Sequence, residues 1–291
     1  MDVIIEAPFN LGVEEHAPGI QPGVRFLPDA MRNQNLASRL GITEIVRLEA
    51  PDYVSTIDPE TGVRNANEVA AYCKKLSLEI NKQTAHGKHP LVIGGDCSIL
   101  PGIMLGLKKH GKYGLFFMDG HTDFITINES STKAVAGMDL AIAAGLGPDL
   151  LTNIDGEKPY IIEQNIYCYG NREYDAVYEA PVINSEVNYY HLNKIRQTGI
   201  DIITSSFLKM SEKLNGFWIH FDVDVLDDNI MPCVDSRTPG GLSYDELEQT
   251  LIPLLVDEKF AGMSITILDP TLDKDGIYTR AFADRVVKII A

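Results

Sequence analysis

Short apolar runs alternate along this chain with longer segments of helical spacing, and that alternation limits its fold more than any other feature. Asp2–Ile5, Leu91–Ile93, Tyr113–Met118, Ile161–Tyr169, Phe217–Phe221 and Gly262–Leu268 read as strands rich in β-branched and aromatic residues. Runs that are apolar almost throughout suit strands buried on both faces, as in a parallel sheet covered by helices. Between them, Asn67–Gln83 sets Val69, Tyr72, Leu76 and Ile80 on one helical face, suited to packing on a sheet. Helices are also expected over Asp29–Leu40, with Asp29 as N-cap after Pro28, and over Tyr278–Ile290. No internal repeat, low-complexity tract or long linker divides the 291 residues. A single α/β domain over 1–291 with a mostly parallel central sheet is therefore expected.

Charge narrows the partners. The chain carries 25 basic and 41 acidic residues, a net charge of -16, which argues against nucleic acid or an anionic membrane surface as partner. A small cationic substrate is compatible with it. No stretch reaches the roughly 18 apolar residues of a membrane span. The start, Met1-Asp2-Val3-Ile4-Ile5-Glu6, lacks the basic and apolar pattern of a signal peptide. Cys73, Cys97, Cys168 and Cys233 form no closely spaced pair, so neither a disulfide framework nor a zinc ribbon is indicated. A cytoplasmic protein is the expectation.

Three motifs begin where buried strands end: Gly94-Gly95-Asp96-Cys97-Ser98, Asp119-Gly120-His121-Thr122-Asp123 and Asp222-Val223-Asp224-Val225-Leu226-Asp227. In an open parallel sheet, ligands bind in the crevice beyond the carboxyl ends of the strands. Residues two apart on an extended chain face the same side, so Asp119, His121 and Asp123 can converge, as can Asp222 and Asp224. Four clustered carboxylates without a cation would repel one another and take up protons. Two carboxylates with an imidazole form a site for Mn, Zn, Fe or Ni. Asp-x-His-x-Asp alone also fits an ordinary polar loop, and Asp222-Val223-Asp224 resembles the start of a calcium loop. That loop would need Gly at its sixth position and Glu at its twelfth, where this chain has Asp227 and Cys233.

Taken together, the motifs resemble those of the ureohydrolases, the family of arginase, agmatinase and formimidoylglutamase. Its pattern is Gly-Gly-Asp-His-Ser, Asp-Ala-His-x-Asp and Ser-x-Asp-x-Asp-x-x-Asp-Pro. Ala7-Pro8-Phe9, Thr238-Pro239-Gly240-Gly241-Leu242-Ser243 and Asp269-Pro270-Thr271-Leu272-Asp273 extend the likeness over most of the chain. The resemblance implies a three-layer α/β/α sandwich, like that of arginases and the related deacetylases, and a manganese centre of one or two ions. Asp119 and Asp222 would bridge the metals, His121 and Asp224 would complete one site, and Asp123 and residue 97 the other. Asp123 would also position the attacking hydroxide. Asp175 matches a position that holds the substrate's α-amino group. Homo-oligomers are common in the family.

Three departures bear on the chemistry. Cys97 stands where the family has a metal-binding His, and a thiolate would shift preference toward Zn, Fe, Co or Ni. A buried, inert Cys97 would instead leave a single-metal site. Ala136 falls where arginase has a proton-shuttling His, with Asp139 three residues on as a substitute acid or substrate contact. Ile267 falls where a Glu grips the guanidinium, which argues for a different amidine, a hydroxyguanidine or an amide. The expected activity is metal-dependent hydrolysis of a linear C–N bond. The alternative is a non-catalytic binding or regulatory protein on the same fold. His220 and Trp218 are expected in the core, and His16 and Arg25 in a surface loop near the pocket.

Overall fold

The computed structural model describes residues 1–291. Eight strands form one sheet: β1 (Val3–Glu6), β2 (Glu44–Arg47), β3 (Pro90–Ile93), β4 (Tyr113–Met118), β5 (Ile166–Tyr169), β6 (Asn188–Tyr190), β7 (Gly216–Asp222) and β8 (Phe260–Thr266). Their spatial order is β2-β1-β3-β8-β7-β4-β5-β6, and every neighbouring pair is parallel. The inner strands alternate between two apolar layers. Phe116 and Met118 of β4 and Phe217, Ile219 and Phe221 of β7 enter one layer, while Leu115, Phe117 and Trp218 enter the other.

Helices supply the outside of each layer. On the first side lie α1 (Leu27–Asn33), α2 (Leu36–Arg39), and later in the chain four more helices, over Leu192–Thr198, Ile200–Ser211, Tyr244–Leu255 and Ile277–Ile290. On the second side α3 (Ala66–Ala85), α4 (Leu100–Lys108), α5 (Asp139–Ala143), α6 (Asp149–Thr152) and α7 (Ala176–Ile183) cover the sheet. The last four on the first side are α8 to α11 in chain order. The result is the three-layer α/β/α sandwich expected from the sequence.

Several boundaries differ from the sequence reading. The helix expected over 29–40 is two short ones, because Asn35 takes a left-handed conformation (φ 56°) between them. Its start lies at Leu27 with Phe26 as N-cap, so Asp29 belongs to the first turn. The strand expected over 161–169 is confined to β5, since Glu163–Asn165 form a 3-10 turn. β8 begins two residues early and ends at Thr266, because Ile267 turns out of the strand at φ 74°. The edge strands β2 and β6 are additional.

Three of the four central strands, β3, β7 and β4, carry the motifs at their ends, and the fourth, β8, lies between β3 and β7. Sequence segments more than a hundred residues apart thus meet at one edge of the sheet.

Candidate active site

The register of the sheet places the site residues in rows. Phe117, His220 and Ser264 are cross-strand neighbours on β4, β7 and β8, and Asp222 pairs with Thr266 one row further along. Asp119 follows the last residue of β4 beside them. Alternation puts Asp119, His220, Asp222, Ser264 and Thr266 on the same face of the sheet as Phe117 and Trp218. Beyond these rows the chain turns sharply. The Asp119 carboxylate accepts from the His121 amide (2.7 Å), and the Asp222 carboxylate from the Asp224 amide (2.9 Å). Each turn swings a second donor group over the sheet edge.

These groups face a cavity of about 480 Å³ lined by Cys97, Asp119, His121, Asp123, Asp222 and Asp224. Glu14, Glu15, Glu129, Glu173 and Asp235 stand around its outer part, and no lysine or arginine lines it. Two donor groups share Asp119. In one, Asp119, His121 and Asp224 bring ligand atoms within 4.8 Å of one another, and in the other Asp119, His220 and Asp222 do so. Cys97 and Asp123 line the same cavity but stand outside both groups. Cys97 donates its S–H to the Ala136 carbonyl (3.4 Å), and burial followed by the charge of Asp139 pushes the thiol well up.

Electrostatics follow from confinement. Burial, then the charge of Asp224, pushes Asp119 up to about 7. Burial and the neighbouring aspartates drive Asp123 and Asp222 well above the usual carboxylate range. Burial also opposes charge on Asp224, but the His121 imidazolium 2.9 Å away holds that carboxylate low. Burial would depress His121, yet Asp224 and Asp119 raise it well above its ordinary value. A proton on His121 thus does part of what a cation between these carboxylates would do. One oxygen of Asp119, Oδ2, is buried without any hydrogen-bond partner. Buried polar atoms are rarely left so. The unpartnered carboxylate oxygen, the mutual repulsion and the carboxylate–imidazole donor set all fit divalent cations such as manganese.

Neighbouring residues hold this arrangement. Tyr178 of α7 donates its hydroxyl to Asp123 Oδ1 (3.1 Å) and accepts from the Thr122 amide (3.1 Å). Arg172 is buried and donates to the carbonyls of Asp224 (2.6 Å) and Thr238 (3.0 Å), tying three loops together. Glu173 Oε2 lies 3.9 Å from His121 Nε2. Tyr178, Arg172 and Glu173 were not singled out from the sequence for this site. The only local signal is their closeness to Asp175, since the pairing of Tyr178 with Asp123 spans 55 positions.

Other expected residues fall in different places. Asp175 is exposed and caps α7, accepting from the amides of Val177 (3.0 Å) and Tyr178 (2.9 Å), and it is not part of the cavity wall. Asp139 opens α5, fully buried, with neither carboxylate oxygen hydrogen-bonded. It lies behind the wall rather than in it, and burial followed by the charge of Asp123 pushes its carboxyl well up. His16 is exposed, as expected, and borders the cavity, bridging Asp235 (3.5 Å) and Asp269 (3.3 Å), whereas Arg25 does not line it. Ile267 is in the wall and buried. Trp218 and His220 are core residues as expected, both at 0 % exposure.

Comparisons with known proteins point to one family. The model of the Arginase family matches residues 2–291. An arginase of Bacillus subtilis strain 168 is 31% identical over 274 residues, covering 93% of this chain and 90% of that protein. The crystal structure of Bacillus subtilis arginase superposes with a TM-score of 0.86 at 27% identity, covering 100% of this chain and 98% of that one. The native structure of the Bacillus caldovelox arginase gives 0.87 at 26% identity, covering 99% and 97%.

Proposed function

Because the chain belongs to the arginase family, we propose that it is a metal-dependent hydrolase of a linear C–N bond in an amidino, guanidino or hydroxyguanidino compound. The observation that carries this reading is the pair of carboxylate–imidazole groups sharing Asp119 at the floor of an acid-rimmed cavity lined by Asp119, His121, Asp222 and Asp224. Asp119, His121, Asp222 and Asp224 would hold the cations, with Asp123 beside them, and manganese is the metal that the family resemblance implies. When bound, such cations acidify a water and stabilise the negative charge that develops as it adds to a planar carbon.

The chain's own residues supply the rest. Tyr178 fixes one oxygen of Asp123, so this carboxylate is oriented to take a proton from the attacking water. The water oxygen adds to the central amidino carbon, the C–N bond breaks, and the proton passes to the departing amine. Asp139 lies behind the cavity wall, where burial followed by the charge of Asp123 favours its protonated form. The acids around the outer cavity favour a cationic substrate, with Glu173 and Asp235 better placed than Asp175 to meet an amino group. Ile267 presents a buried alkyl surface where a carboxylate would clamp a guanidinium. That favours an N-hydroxyguanidine or another amidine over plain arginine.

The test is a panel of arginine, agmatine, N-hydroxyarginine, formimino compounds and N-acyl amines offered to manganese-loaded protein, with release of urea, hydroxyurea, ammonia or carboxylate followed. Turnover of an N-hydroxyguanidine or amidine well above that of arginine supports the reading. No turnover by metal-loaded protein would leave a binding or regulatory protein on the same fold.

A further inference from the structure

We propose that His220 is a metal ligand, supplying to the cation held by Asp119 and Asp222 the imidazole that position 97 does not provide. This rests on the metal-dependent reading above. Its geometric basis is the second donor group, in which a ring nitrogen of His220 and carboxylate oxygens of Asp119 and Asp222 all lie within 4.8 Å of one another. That group mirrors the first, each consisting of two carboxylates and one imidazole, with Asp119 common to both.

The surroundings of His220 prepare it for this role. Its ring stacks on Phe117, with centroids 5.1 Å apart and planes 9° from parallel, so its plane is set by the core. Nδ1 lies 2.9 Å from Ser264 Oγ, which also accepts the Trp218 indole N–H (3.1 Å). With Nδ1–H donating to Ser264, Nε2 keeps a free lone pair. Metal-bound histidines are held in this way, with the far ring nitrogen donating to an oxygen. Thr266 Oγ1 lies 3.4 Å from Nε2 and donates its proton to Asp222 Oδ2 (3.3 Å), which leaves the Nε2 lone pair to the cation. Asp119 Oδ2, buried and without a partner, offers a second atom for that cation.

Cys97 is the competing donor. Its sulfur is engaged with the Ala136 carbonyl and belongs to neither donor group. The resemblance-based expectation of a thiolate ligand and the proposal of a histidine ligand therefore give opposite outcomes for two substitutions.

The experiment is nitrogen NMR on full-length protein labelled with ¹⁵N-histidine, before and after loading with zinc, together with metal content of wild type, His220→Gln and Cys97→Ala. Expected are two histidines whose nitrogens move to metal-bound shifts, His121 and His220, the second retaining its Nδ1 proton. Two metals per chain are expected in wild type and Cys97→Ala, falling to one in His220→Gln. A single shifted histidine in loaded wild type, or two metals retained by His220→Gln, overturns the proposal, as does loss of a metal in Cys97→Ala. Should His220→Gln fail to fold, the wild-type spectrum still decides. Wild type that takes up no metal overturns the hydrolase reading itself, which separates the two failures.

Discussion

At the scale of single residues, Gly120 shows how closely the site is fitted to this sequence. The family pattern has alanine there. In this chain a Cβ at Gly120 would lie 2.3 Å from Arg172 Nη1 and 2.8 Å from Asp224 Oδ1, both inside contact distance. Arg172 cannot swing aside freely, because its other guanidinium nitrogens donate to the carbonyls of Asp224 and Thr238. Gly120→Ala is therefore expected to displace Asp224, costing about 1–3 kcal/mol of stability as overpacking does. Manganese affinity is expected to fall roughly 10–100-fold, as when groups that orient a ligand are disturbed. Thermal unfolding and a metal titration of the variant measure both effects, and wild-type values in each would show that the loops accommodate the methyl group without strain.

At the scale of elements, the inner strands were readable because they are apolar almost throughout, and the acidic motifs at their ends marked the edge where the cavity lies. What was not readable depends on which strands lie side by side. His220 looks like any core histidine until β7 is placed between β4 and β8, which brings its ring beside Asp119 and Ser264. Tyr178 needed the packing of α7 against the loop after β4. The helix break at Asn35 had a signal in the Asn33-Gln34-Asn35 run, since asparagine tolerates the left-handed conformation that ends a helix. The last helix, α11, starts after Gly276 without a cap from that residue. Asp273 supplies it, accepting from the amides of Ile277 (3.1 Å) and Thr279 (2.7 Å). Burial alone would raise the Asp273 carboxyl, but these amides outweigh it and hold it below the usual range. A depressed carboxylate contributes stability above its unfolded pKa of about 3.9, and that contribution is lost as pH falls through the lower folded value. Asp273→Ala is expected to cost about 1 kcal/mol near neutral pH, as loss of a helix cap does. In Asp273→Asn the decline of melting temperature from pH 5 to 3 should be shallower than in wild type. Equal slopes would mean that the charge on Asp273 adds nothing to the cap.

At the scale of the whole molecule, two large apolar layers hold the sheet in place, so the fold does not depend on metal in the way a small zinc domain does. The cost of the site is local and depends on pH. Without cations, burial and mutual repulsion raise Asp119 to about 7 and push Asp123 and Asp222 well above the carboxylate range, while the two acids beside His121 raise that imidazole. Each group then binds its proton more tightly folded than unfolded. The native state carries the excess protons, so metal-free stability declines as pH rises from about 4 through 7 and beyond. Cations take the place of those protons, which removes the penalty, and their binding must release protons to solution. Loading with manganese at about a hundredfold excess over its dissociation constant is worth about 2.7 kcal/mol, or roughly 4–5 °C in melting temperature for a chain of this size. At a fixed manganese concentration the increment should be larger at pH 8 than at pH 6, because more of the acids stand unprotonated and uncompensated in the metal-free protein at the higher pH and the metal binds more tightly. Calorimetric scans with and without manganese at the two pH values measure it. An increment that shrinks as pH rises would mean that the raised carboxylates and His121 are not the groups the metal displaces protons from, and would place the metal elsewhere in the molecule.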